Sequence, residues 1–145
     1  MTNTNLLNNA IDILLHNGIS SVDQLYIQKH KQELLSDDIT DDERMLFGEI
    51  KTDKIGIKYI LMYSKTKQKF WNIRAIWVRP DLRRQNIATA LLSNIRRLSK
   101  GSEGVTIFIP YNEQRFTLSK LMMRNGYKHR RYIASISATE YNSIW

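Results

Sequence analysis

Arg83, Arg84, Gln85 and Asn86 stand in the stretch "IWVRPDLRRQNIATALL" (residues 76–92), directly before Ile87, Ala88 and Thr89. An apolar run meets a proline, then four polar residues, then an Ala/Leu repeat. A strand passing through such a tetrad into a helix presents unpaired backbone N–H groups at the helix start, and with the helix dipole these favour an anion. Arg83 and Arg84 add full positive charges. Asn86 is the residue type after glycine that best tolerates a positive φ, and Ala88 is small, so backbone can approach a diphosphate closely. The plain alternative for Asn86 is an ordinary helix cap.

Other chemistry is sparse. The chain has no cysteine, and His16, His30 and His129 are scattered without ligand spacing, so neither a disulfide nor a metal site is expected. Between Asp53 and Asp81 there is no acid at all, and Glu49 is the acid that can be placed near the cleft to receive a proton, its plain alternative being a solvent-facing strand residue. Tyr111, Tyr127 and Tyr132 are phenols that read first as packing groups. No catalytic residue is assigned.

The elements that must position the tetrad follow from periodicity. Residues 5–18 and 20–38 read as two helices, the first stopped by Gly18 and the second started by Ser21 and Gln24. An acidic connector follows. From Met45 the apolar period becomes two, and "MLFGEIK", "KIGIKYILMYSK" and "KFWNIRAIWVR" read as three strands of an antiparallel meander. Next comes a helix whose stripe is Ala88, Leu91, Leu92, Ile95 and Leu98. The strand "GVTIFIP" is reached through that helix and should pair in parallel with the third strand; a helix over 112–126 and a closing strand over 127–137 complete the pattern.

The expected fold is therefore α+β: a mixed, mostly antiparallel sheet with helices on both faces and one parallel β-α-β unit. At 145 residues and 42% hydrophobic letters the chain is sized for a single domain over 1–145, with an acidic helical part at 1–44 and a sheet core at 45–136. Its longest apolar runs are too short to span a membrane, and the N-terminus does not read as a signal, which points to a soluble cytoplasmic protein. The net charge of +8 conceals an asymmetry. Residues 1–50 hold 3 Lys+Arg against 9 Asp+Glu, whereas residues 51–145 hold 19 against 5. The basic part suits an anionic ligand, nucleic acid or acidic protein, with Tyr127 and Tyr132 interleaved among Arg124, Lys128, Arg130 and Arg131; the plain alternative is an ordinary solvated surface. The acidic helices are candidates for a lid, a homodimer contact or a partner surface.

This element order, together with "VRPDLRRQNIATALL", resembles the GNAT superfamily of acyl-CoA-dependent N-acyltransferases. The family's phosphate loop runs Arg/Gln, any, any, Gly, any, Gly/Ala, and Arg83, Asn86 and Ala88 occupy the marked places. The resemblance implies that Arg83, Arg84, Gln85, Asn86, Ile87, Ala88 and Thr89 hold the pyrophosphate of acetyl-CoA. It further implies that the backbone of Ile76, Trp77 and Val78 pairs with the pantetheine arm. Asn112, Gly126 and Tyr127 match later family positions, Asn112 among the cofactor contacts. The implied activity is acetyl transfer to a primary amine on a protein, a small molecule or an aminoacyl-tRNA; the alternative is a catalytically degenerate binding or assembly module. The segment 74–92, "RAIWVRPDLRRQNIATALL", also shows a local similarity to the corresponding part of cohesin acetyltransferases, without their zinc finger. Two departures stand out: Asn86 replaces the first glycine, and Met122 stands where many members carry a tyrosine that protonates the leaving thiolate.

Overall fold

A computed structural model describes residues 2–17, 47–65, 70–111 and 115–145. The second N-terminal helix expected over 20–38, the acidic connector and Asn112 lie outside the described residues. Helix α1 spans Thr2–Asn17; strands β1 Phe47–Thr52, β2 Ile57–Lys65 and β3 Phe70–Val78 follow. A short 3-10 turn, Pro80–Leu82, leads to helix α2, Ile87–Leu98. Then come β4 Gly104–Pro110, α3 Arg115–Arg124, β5 Lys128–Ile133 and β6 Ala138–Ile144. The strands form one sheet in the order β1-β2-β3-β4-β6-β5, antiparallel throughout except for the β3–β4 pair. The sheet is thus the expected mixed one, with the expected parallel β-α-β unit.

Two apolar layers hold it. On one face Leu91, Leu92 and Ile95 of α2 and Leu118 and Met122 of α3 pack on Leu61, Ile73, Ile76 and the buried run Val105, Ile107 and Ile109. On the other, Ala10, Ile11 and Leu14 of α1, spaced for one helical face, cover Ile57, Ile60, Met62 and Ala75. Helices therefore lie on both faces. In β2, Ile60 and Met62 take one face and Leu61 the other, so the strand is apolar on both sides, as a central strand must be. No described helix is long and apolar enough to cross a membrane.

Two expectations are corrected, and one strand departs from simple alternation. The sequence of 127–137 suggests a single closing strand, but β5 ends at Ile133. A 3-10 turn follows, Ser137 takes a left-handed φ of 49°, and β6 returns between β4 and β5. The sheet thus runs on to Ile144. Leu98, placed on the apolar stripe of α2, is 47% exposed, because the fully buried Ser99 occupies the last inward position instead. In β5 simple alternation would pair Lys128 with Arg130 on one face. A bulge between His129 and Arg131 breaks that parity and puts Arg131 opposite Glu140, with which it pairs at 2.9 Å.

Candidate functional site

The parallel ladder between β3 and β4 is short. Phe70, Trp71, Asn72 and Ile73 pair with Gly104, Val105, Thr106 and Ile107, and there the pairing stops. Both strands continue: Ala75–Val78 stay bonded to β2, while Phe108–Pro110 stay bonded to β6. The cause is local. Across from β2, Met62 pairs with Ala75 and Tyr63 with Ile73, so Arg74 is an extra residue that bends β3 away from β4. It also sets Ile73 and Ile76 on the same face. The result is a gap in mid-sheet, along which the β3 backbone lacks the β4 partner that a continuous ladder would supply.

The tetrad stands at the mouth of that gap. Arg84 and Asn86 both adopt left-handed backbone, with φ of 67° and 62°. Each such residue costs on the order of 1–2 kcal/mol and turns successive N–H groups toward a common concavity suited to an anion. Asn86 is the residue before the first helical turn, yet its side chain makes no capping bond. The ordinary-cap reading of Asn86 is therefore set aside. Its carbonyl starts the helix by accepting from the Ala90 N–H at 3.0 Å, and the amides of Ile87, Ala88 and Thr89 have no backbone acceptor.

A cavity of about 360 Å³ lies against this turn. It brings together Ile76, Trp77 and Val78 of β3 with Arg83, Arg84, Asn86, Ile87, Ala88 and Thr89. Gln85, expected among them, is exposed and does not line it. Arg83 is not simply a free charge: its Nε donates to the Val78 carbonyl at 2.9 Å and so ties the loop to the open end of β3. The opposite wall was not anticipated. Thr117, Leu118, Leu121 and Arg124 of α3 supply it, at a spacing that puts them on one helix side. That spacing is present in the sequence, but the packing of α3 into the same core as α2 is set by tertiary structure alone. With Arg83, Arg84 and Arg124 present, the described lining carries three cations and no carboxylate.

Proton-handling groups lie apart from the cavity lining. Glu49 is half-buried on β1 and accepts a hydrogen bond of 2.6 Å from the Tyr59 hydroxyl. Burial first, and that bond second, push the Tyr59 phenol up to about 12. The bond is therefore present below the ordinary tyrosine pKa near 10 and lost as pH rises toward 12. The register places Glu49 opposite Leu61 and Leu61 opposite Ile76, one row across the sheet on the α2 and α3 side. Met122 is wholly buried in the core, so its position offers no proton. Tyr127 is buried with its hydroxyl unpartnered, and burial raises its pKa. Tyr111 and Tyr132 are exposed.

If Asn86 keeps its strain only because the turn demands it, glycine there should be tolerated and should open the concavity. Asn86→Gly is expected to tighten coenzyme A binding roughly three- to tenfold, about 1 kcal/mol, with little change in melting temperature. Calorimetric titration checks it.

A family model described as "Acetyltransferase (GNAT) family" matches residues 23–115, more than half of the chain. Among solved structures, the chain is similar to PaiA N-acetyltransferase from Thermoplasma acidophilum in complex with coenzyme A. There the TM-score is 0.68 at 13% identity, over 98% of this chain and 94% of that one. It is also similar to a Bacillus subtilis acetyltransferase in complex with CoA, with TM-score 0.58 and 13% identity over 76% of this chain and 84% of that one. The ribosomal-protein-S18-alanine N-acetyltransferase of Escherichia coli gives TM-score 0.54 at 14% identity over 69% of each chain. At these identities the likeness is one of fold. No curated protein matches the chain.

Proposed function

This chain belongs to the acetyltransferase (GNAT) family, and from that premise we propose that it transfers an acetyl group from acetyl-CoA to a primary amine. The observation that carries the proposal is the mid-sheet gap opening onto a turn with left-handed Arg84 and Asn86 and acceptor-free amides. A diphosphate suits those amides together with Arg83, Arg84 and Arg124, and the small Ala88 leaves room for it. An extended amide-bearing arm suits the backbone of Ile76–Val78, where β4 supplies no partner and the Val78 carbonyl is held by Arg83, since the arm can supply the hydrogen bonds that β4 withholds. Acetyl-CoA, when bound, supplies an activated acyl carbon. The chain's own part is to orient that carbon, keep water away from it with Ile76, Leu118 and Leu121, and accept a proton from the attacking amine.

Glu49 is the group assigned to the proton. It is a half-buried carboxylate on the row that reaches Ile76, and the Tyr59 hydroxyl fixes its orientation. Glu49→Gln should lower kcat by about 100-fold, the typical share of a positioned base, while KM for acetyl-CoA changes little. Steady-state kinetics with a panel of primary amines gives both numbers.

The test of the whole proposal is direct binding: calorimetry with acetyl-CoA should show saturable heat, and its absence with folded protein removes the idea. The buried Met122 favours a second reading, a GNAT-shaped binding module without turnover. Amine-dependent release of the thiol from acetyl-CoA overturns it. An acidic or nucleic-acid acceptor is favoured by the exposed Lys128 and Arg130 on the edge strand β5. Binding through them should fall steeply with salt.

A further inference from the structure

Arg79 occupies the step between the end of β3 and the 3-10 turn that precedes the loop. Its guanidinium is held on two sides. Nη1 and Nη2 donate to Asp53 Oδ1 and Oδ2 at 2.9 and 2.7 Å, a two-pronged pair. Nε donates to Asp81 Oδ1 at 2.7 Å and Nη2 to Asp81 Oδ2 at 3.3 Å. Its backbone N–H donates to the Lys58 carbonyl at 2.8 Å. Asp53 is itself fixed, because its Oδ1 accepts the Ile55 and Gly56 amides and closes the β1–β2 turn. The tip of a distant hairpin is thereby joined to the residues from which the loop departs.

Simple electrostatics argues against such an arrangement beside a phosphate site. Two carboxylates around one guanidinium leave a net charge of −1 around Arg79, at the approach to an anion-binding turn, and a negative charge there repels phosphate. Its benefit must be geometric. Arg79 is followed by Pro80, whose φ is fixed, and then by Asp81, so anchoring the guanidinium on both acids sets the direction in which the chain leaves the sheet. Four residues after Arg79, Arg83 bonds back to Val78, closing a short loop around the anchored segment.

We propose that Arg79, clasped between Asp53 and Asp81, is a positioning residue that sets the angle of the Arg83–Thr89 loop and thereby the affinity for the diphosphate of coenzyme A. This rests on the acyl-CoA reading. The Arg79 hydrogen bond holds the Asp53 carboxyl well below the usual range, so the clasp stays charged through the whole neutral region and opens only in strong acid.

The test exploits a difference in sign. Removing a negative charge near a phosphate site tightens binding if charge alone matters, and weakens it if the acids hold the loop. Asp53→Asn and Asp81→Asn are each expected to weaken coenzyme A binding in calorimetry by about tenfold. Arg79→Lys, which keeps the charge and loses the fork, should fall between them and the wild type. In kinetics the KM for acetyl-CoA should rise by the same factor with kcat within about twofold. With S-acetyl-pantetheine, a donor lacking the nucleotide and its diphosphate, the variants should match the wild type. Equal or tighter coenzyme A binding by the Asn variants overturns the inference, as does an equal loss with the pantetheine donor. Wild type that binds no coenzyme A overturns the acyl-CoA reading and this one together; wild type that binds beside unaffected variants overturns this one alone. Circular dichroism establishes that each variant is folded. Asp81 is an exposed turn residue, so Asp81→Asn carries the test even if Asp53→Asn does not fold.

Discussion

Ala88→Glu is expected to abolish measurable coenzyme A binding, with a loss of at least about 100-fold, near 3 kcal/mol, while the protein stays folded. The two effects have opposite electrostatic signs. An acid in the first turn of α2 faces the positive end of the helix dipole and adds a few tenths of a kcal/mol to the helix. The same carboxylate projects into the concavity proposed for a diphosphate, repels it, and fills space that Ala88 leaves open. A variant that melts no lower than wild type yet gives no heat with acetyl-CoA is the predicted outcome. If titration of the variant matches wild type, the loop is not the phosphate site.

Gly104→Ala is the largest stability effect expected, about 4 kcal/mol of destabilisation from overpacking and backbone strain combined. Gly104 begins β4 with a φ of 154°, and a Cβ there would lie 2.2 Å from the Ser143 carbonyl oxygen and 3.0 Å from the Ile144 Cα. Neither neighbour is a flexible side-chain end; both belong to the β6 backbone, paired with β4 along its whole length. The third neighbour, Phe70, is the first residue of β3 in the parallel ladder. The clash therefore falls where three strands meet. Chemical denaturation measures it, and a loss under about 1 kcal/mol would mean that β6 can move aside.

The parts of this molecule legible in the sequence are those with a local cause. The period-two runs, the Ala/Leu stripe of α2 and the parallel crossover follow from side-chain patterning within a dozen residues. The positive φ of Asn86 follows from residue chemistry at one position. Strand β6 was not legible, because "ATEYNSI" mixes Ala, Glu, Asn and Ser and alternates only weakly. Its burial comes from being inserted between two other strands, with Asn142 and Ser143 inside. The wall formed by Thr117, Leu121 and Arg124 depends on which side of the sheet α3 takes, a fact of packing alone. The clasp of Arg79 reaches Asp53 across 26 residues, and no spacing rule in the chain points to that partner. Arg74 reads as an ordinary strand residue, although its being surplus opens the gap on which the proposed chemistry depends.

That surplus residue has a mechanical meaning. The sheet consists of two three-stranded ribbons, β1-β2-β3 and β4-β6-β5, welded along the four residue pairs from Phe70 to Ile73 and Gly104 to Ile107. Helix α2 bridges the seam, packing on both β3 and β4, while α3 rests on the second ribbon, against β4 and β5. Bending of the whole molecule should concentrate at the weld, so the jaws of the gap can widen or narrow while each ribbon keeps its own registry.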